Sequence, residues 1–163
     1  MFRIRRDDLK YPSNFISLVI QNNKDISPSA YENPSALAHI KEYLSINIGY
    51  RYSQTEKNYE SFITVSYKNM KKFNEKDTEV GRCCPKKINF LDENTYFVKI
   101  SYSQDAFKIG LVPVNAPSNQ FEEELTIDKI RLSSYLNLEM NRANIGLLSS
   151  IQDFSCQAEI EQW

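Results

Sequence analysis

The residues best suited to chemistry in this chain are its three cysteines, Cys83, Cys84 and Cys156, and its single histidine, His39. Cys83 and Cys84 sit in the run Gly-Arg-Cys-Cys-Pro-Lys-Lys, beside Arg82, Lys86 and Lys87. Positive neighbours favour a thiolate, which is the nucleophilic form of cysteine. With His39 as base, either thiol would complete a Cys-His dyad. All four side chains together would supply the number of ligands that zinc takes. Spacing argues against both. Nothing brings His39, in Ala38-His39-Ile40, to the cysteine loop, and adjacent cysteines chelate poorly beside the usual spacer of roughly two to four residues. The pair reads as loop cysteines next to a proline turn, and no catalytic residue or metal ligand is assigned.

Carboxylates are the other source of chemistry. Asp92-Glu93 precedes a strand that bears Lys99, an arrangement with an echo of metal-dependent nucleases. Such a site needs an acid two positions before the lysine, and Phe97 stands there. Asp7-Asp8, Glu122-Glu123-Glu124 and the Glu159/Glu161 pair read as solvated charge or helix-start charge. None forms the pair of unlike carboxyl environments that general acid–base catalysis requires.

Composition removes further classes. Only Gly49, Gly81, Gly110 and Gly146 occur, no two of them close. Phosphate-cradling loops rely on clustered glycines for close backbone approach, so neither a dinucleotide fingerprint nor a P-loop can be written. A single histidine excludes an HExxH site. No cofactor is expected. With 20 basic and 21 acidic residues the net charge is −1, without the basic excess of a dedicated nucleic-acid binder. An odd cysteine count does not suit a disulfide scaffold, and the apolar run Phe15–Ile20 is too short for a signal-peptide core or a membrane span. A soluble, cytoplasmic protein with no membrane association is the expectation.

The elements that would position any site are read from side-chain periodicity. At 163 residues, 41% hydrophobic and 25% charged, the chain is expected to form a single globular domain over 1–163. Ile46, Ile48, Tyr50 and Tyr52 alternate with Asn47, Gly49, Arg51 and Ser53, the period-two pattern of a half-buried strand. The pattern returns over 59–68 after the polar turn Gln54–Asn58. It returns again over 96–103, and across Ser103-Gln104-Asp105 into Phe107, Ile109 and Leu111. Two hairpins of an antiparallel sheet follow. Phe15–Gln21 reads as a strand buried on both faces, and 154–160 as a terminal edge strand.

Two helices are expected. One opens at Asn33-Pro34-Ser35 and carries Leu37, Ile40, Lys41 and Leu44. The other lies between about Ile127 and Asn144, with Leu132, Leu136, Met140 and Ala143 as its stripe. Residues 69–94 read as a long irregular segment. The expected fold class is therefore α+β: an antiparallel sheet of about four to six strands with helices packed mainly on one face.

If both hairpins share one sheet, Arg51, Lys68, Lys99 and Lys108 share its polar face with Phe62 and Phe97. Cations interleaved with aromatic rings suit a protein interface, where aromatics and arginine are enriched. They also suit single-stranded nucleic acid, with bases stacked on rings. The plainer alternative is that both rings pack beneath a second helix. The leading expectation is a non-enzymatic protein-binding role, as an inhibitor, immunity-type protein, adaptor or chaperone, with another protein as partner. A small hydrolase or transferase whose site only the fold assembles is the alternative, testable by alkylating the cysteines. Nucleic-acid binding through the basic, aromatic face comes third.

Overall fold

The structure, a computed structural model, describes residues 2–4, 13–21, 40, 42–53, 55–69, 78–92, 94–114, 123–136, 138, 143–151 and 158–160. These form ten strands: β1 (Phe2–Ile4), β2 (Ser13–Gln21), β3 (Glu42–Ser53), β4 (Asn58–Asn69), β5 (Thr78–Cys83), β6 (Tyr96–Ser103), β7 (Ala106–Pro113), β8 (Glu123–Ile127), β9 (Asn144–Ile151) and β10 (Ala158–Ile160). One short helix, α1 (Leu132–Tyr135), completes the described elements. The strands make two antiparallel five-stranded sheets, β5-β4-β3-β2-β9 (the β3 sheet) and β10-β1-β6-β7-β8 (the β6 sheet).

This overturns the α+β expectation, since the second layer is another sheet and not a set of helices. The apolar rows of the two sheets meet in one core. Leu44, Ile46, Ile48 and Tyr50 of β3 and Ile63 and Val65 of β4 join Tyr96, Phe107, Ile109 and Leu111 of the β6 sheet. Burying one such aliphatic side chain is worth about 1.5–3 kcal/mol, so this shared row is what fixes the pairing of the layers. The connections add to it. Ile88 and Phe90, just beyond β5, and Ile130 and Leu136, beyond β8, are all buried in the same cluster.

Turn chemistry sets each hairpin. Ser103 pairs with Ala106, leaving Gln104 and Asp105 as a two-residue turn with φ of 52° and 58°. Positive φ at both central residues matches the right-handed twist of the strands they join, and aspartate tolerates it better than most side chains. Between β3 and β4 the pairing closes at Ser53 and Asn58, and the loop ends on Lys57 at φ 51°.

The second expected helix is corrected, and most of the first lies outside the described residues. Leu44, the last residue of the first apolar stripe, is fully buried in β3, and Ile40 is not helical; 34–39 and 41 lie outside the described residues. In the second stripe Ile127 ends β8, only Leu132–Tyr135 is helical among the described residues, and Leu136 turns extended at φ −118° and ψ 130°. Leu132 and Leu136 reach the core from a single turn, so their spacing of four reflects that turn and not a long helix. Met140 lies outside the described residues, and Asn144 opens β9. The segment read as irregular over 69–94 contains β5, paired with β4 through a register shift at Val65/Ser66. Its later part is tied down: Phe90 N–H donates to Ser61 Oγ at 2.9 Å, and Tyr96 Oη donates to the Asp92 carboxylate at 2.7 and 2.8 Å. The terminal strand is present as β10, paired with β1; 154–157 lie outside the described residues.

Gly81 shows how closely β5 and β8 approach. A Cβ built there would stand 2.3 Å from Ile127 Cγ2, a distance no side chain tolerates without displacing the branched methyl. Glycine is therefore required for this contact between the two sheets.

Candidate functional site

The six side chains expected on one polar face fall into two groups on different sheets. Cross-strand partners share a face. In the β3 sheet Arg51 pairs with Glu60, Gly49 with Phe62 and Tyr43 with Lys68, so Arg51, Phe62 and Lys68 occupy the row opposite the core. In the β6 sheet Phe97 pairs with Val112, Lys99 with Gly110 and Ser101 with Lys108, again opposite the core. Because the inward rows of the two sheets meet in one core, these two outward rows look in opposite directions.

The outward row of the β3 sheet is largely closed to water. Phe62 is 6% exposed, and Ser17, Ser45, Thr64 and Ser66 are buried with it. Asn47 is the node of a small polar network. Its Oδ1 accepts from Ser17 Oγ at 2.6 Å, while its Nδ2 donates to Thr64 Oγ1 at 3.3 Å and Ser66 Oγ at 3.2 Å. Buried polar groups are tolerable when satisfied in this way. Gln21 is the exception, since its buried Oε1 accepts no hydrogen bond among the described residues. Arg51 donates from Nε to Glu60 Oε1 at 2.6 Å, and its guanidinium lies 5.8 Å from the centre of the Phe62 ring. Lys68 Nζ lies 5.9 Å from the Tyr43 ring centre. Phe15 meets Phe62 edge-on at 6.3 Å. These cations are engaged with side chains of their own sheet.

The outward row of the β6 sheet is open. Phe97 is 43% exposed, and Lys99, Ser101, Lys108, Glu124 and Thr126 are exposed beside it. Pairing extends the row onto β8, where Lys108 stands opposite Thr126 and Gly110 opposite Glu124. One line across three strands therefore runs Lys99, Gly110, Glu124: a cation, a position with no side chain, and an anion. The missing side chain leaves a shallow depression of about 210 Å³ rimmed by Lys99, Ser101, Lys108, Glu124 and Thr126. This face offers an aromatic ring, two ammonium groups and hydroxyls in a plane. Such a face can meet a complementary surface.

A second concave region, which periodicity does not reveal, lies at the β6–β7 turn. Gln104, Asp105, Asp128, Lys129, Arg131 and Ser134 line an open cleft of about 500 Å³. Asp105 is its hub. Its carboxylate accepts from Tyr102 Oη and from Arg131 Nε, both at 3.1 Å, and its carbonyl accepts from Ile130 N–H at 2.7 Å. Leu132 N–H donates to Tyr102 Oη at 3.2 Å, and Lys129 adopts φ 64°. These bonds brace the hairpin turn against the connection from β8 to α1. The sequence signal for it is a tight hairpin turn built without glycine, which needs outside support to hold positive φ.

The cysteine loop remains a loop beside β5. Cys83 is half-buried against the core, Cys84 is exposed, and neither forms a disulfide. Arg82 is held further toward its charged form by hydrogen bonds to Glu79, at 2.8 and 2.6 Å, with partial burial acting against them. His39 and Cys156 lie outside the described residues, so neither the dyad nor the four-ligand set can be drawn. Among the described residues no three His, Cys, Asp or Glu side chains converge to hold a metal ion. No described helix is long and apolar enough to cross a membrane.

Compared with known proteins, the chain matches no family model, no curated protein and no solved structure.

Proposed function

We propose that the chain is a non-enzymatic protein-binding protein, and that the outward face of the β6 sheet is its contact surface. One observation carries the reading: Phe97, 43% exposed, shares an open sheet face with Lys99 and Lys108, which rim the dip over Gly110. A protruding ring is a natural anchor in an interface, because it buries much area at little conformational cost. The flanking lysines favour a partner with acidic groups beside an apolar pocket.

The same ring and cations match the needs of single-stranded nucleic acid, which is the second reading. Glu124 on the same face and a net charge of −1 weigh against a phosphate backbone there.

The test is affinity purification from the native host with the wild-type chain and with F97A/K99E/K108E. A protein recovered in stoichiometric amount by the wild type and lost from the variant supports the proposal. Repeated recovery of no stoichiometric partner, or a partner the variant retains, overturns it. Retention on single-stranded DNA or RNA that weakens steeply with salt would move the assignment to the second reading.

A further inference from the structure

The edges of the sheets are not alike. An edge strand presents unpaired backbone groups, and proteins blunt it with charge, shortness, irregularity or cover. β5 carries Glu79 and Arg82, joined in an ion pair at 2.6 Å, and its pairing slips at Val65/Ser66. β8 carries Glu123 and Glu124 and approaches β5 closely enough to require Gly81. β10 is three residues long and carries Glu159. Among the described residues β9 shows none of these protections. Its sequence Asn-Ile-Gly-Leu-Leu-Ser-Ser-Ile has no charge and no proline, and among the described residues it pairs only with β2.

Exposure points to the same edge. Ile145 is 57% exposed, more than any other large hydrophobic side chain among the described residues. It pairs with Ile20, and Leu147 with Leu18, so both continue the core-facing row of β2 at the rim of the sandwich. A soluble β-protein gains nothing by leaving an uncharged strand with a bare isoleucine at its border, unless that border is covered.

We infer that β9 pairs with β9 of a second copy of this chain, antiparallel about a two-fold axis, joining two β3 sheets into one ten-stranded sheet. The strand suits itself in particular. In such a pairing only the residue on the axis meets its own kind and the others meet their mirror positions, so an uncharged Ile145–Ile151 puts no repelling charge anywhere along the seam. A register centred on Leu148 sets Ile145 of each copy opposite Ile151 of the other, placing the exposed isoleucine against an apolar residue. It also keeps core-facing rows on one side of the joined sheet, since paired positions then share a face.

The experiment compares the solution mass of the wild type with that of I145K, by light scattering over a concentration series. The wild type is expected to approach twice the 19.0 kDa chain mass as concentration rises. I145K, which places two lysines at the seam, is expected to weaken dimerisation at least about tenfold. A wild type that stays monomeric throughout, or a dimer that I145K leaves intact, overturns the inference. L148C, in a chain whose three native cysteines are replaced by serine, gives a measurement that does not rely on I145K folding. Position 148 faces itself across the axis, within disulfide reach, so mild oxidation is expected to yield covalent dimer. A non-reducing gel showing monomer alone would count against β9 pairing as firmly as an unchanged mass.

Discussion

On the outward row of β3 and β4, Ser45, Thr64 and Ser66 are out of water around the half-buried Asn47, while on the outward row of β6 and β7, Ser101, Lys99 and Lys108 stand in it. Both rows alternate with an apolar, core-facing row, and both mix hydroxyls, cations and one phenylalanine. The difference lies in which polar groups satisfy one another. Short side chains such as serine, threonine and asparagine can close a hydrogen-bonded network within a sheet, and the network around Asn47 does so. Lysines on neighbouring strands repel, and their ammonium groups are costly to desolvate. A row whose small polar residues satisfy one another, and whose cations Arg51 and Lys68 meet Glu60 and aromatic rings, can therefore be taken inside, whereas the row bearing Lys99 and Lys108 is held at the surface. Polar alternation alone does not locate solvent.

The sharpest way to break this comparison is to put the same charge on each row. Ser45 is 2% exposed and pairs with Ser66, whereas Ser101 is exposed and pairs with Lys108. S45K buries an ammonium group without a counter-charge and is expected to cost about 4 kcal/mol or more, a large share of a domain's stability. S101K is expected to stay within about 0.5 kcal/mol of wild type. Urea unfolding midpoints measure both. Equal midpoints for the two variants would show that the outward face of the β3 sheet is not closed.

The network itself should carry a smaller effect. N47A removes the acceptor of Ser17 and the donor to Thr64 and Ser66, leaving three hydroxyls to find other partners in a buried layer. A loss of about 1–3 kcal/mol is expected, with the denaturant dependence unchanged because no extra surface is exposed. A double-mutant cycle with S66A isolates the coupling, and strictly additive losses would mean that Asn47 acts only by filling space.

How much of this is legible in the chain depends on how each strand is covered. Ile46, Ile48 and Tyr50 against Asn47 and Gly49 announce β3, because one row is wholly apolar and the other has no aliphatic member. The 96–111 hairpin is equally plain. β9 is not, since a strand at the rim is covered incompletely and its rows (Ile145, Leu147, Ser149 and Gly146, Leu148, Ser150) mix apolar with polar. β5 hides behind Glu79, Arg82 and Gly81 for the same reason: an edge needs charge, and its inward glycine answers a contact that only the fold creates. Leu132 and Leu136 mislead because a single helical turn and a long helix begin with the same spacing. Of the candidate surface, the residue types are legible. Their division between two sheets is not, because which hairpins share a sheet depends on long-range pairing. Phe62 and Phe97 both stand on the outward row of a hairpin, and nothing local says which is covered.

That pair gives the smallest and most discriminating stability effect. Phe97 is 43% exposed on the outward row and pairs with Val112, so F97A removes a ring that the folded state half leaves in water. Its expected cost is about 1 kcal/mol or less, chiefly the lost cross-strand contact with Val112. A ring retained for packing would cost about 3–5 kcal/mol on truncation, the range for buried aromatics. The informative result is the combination: F97A should leave the unfolding midpoint nearly unchanged and weaken the partner complex at least about tenfold, as loss of an interface anchor does. A stable F97A chain that binds its partner undiminished would leave the β6 sheet open without a use, and a strongly destabilised one would make Phe97 a covered ring like Phe62.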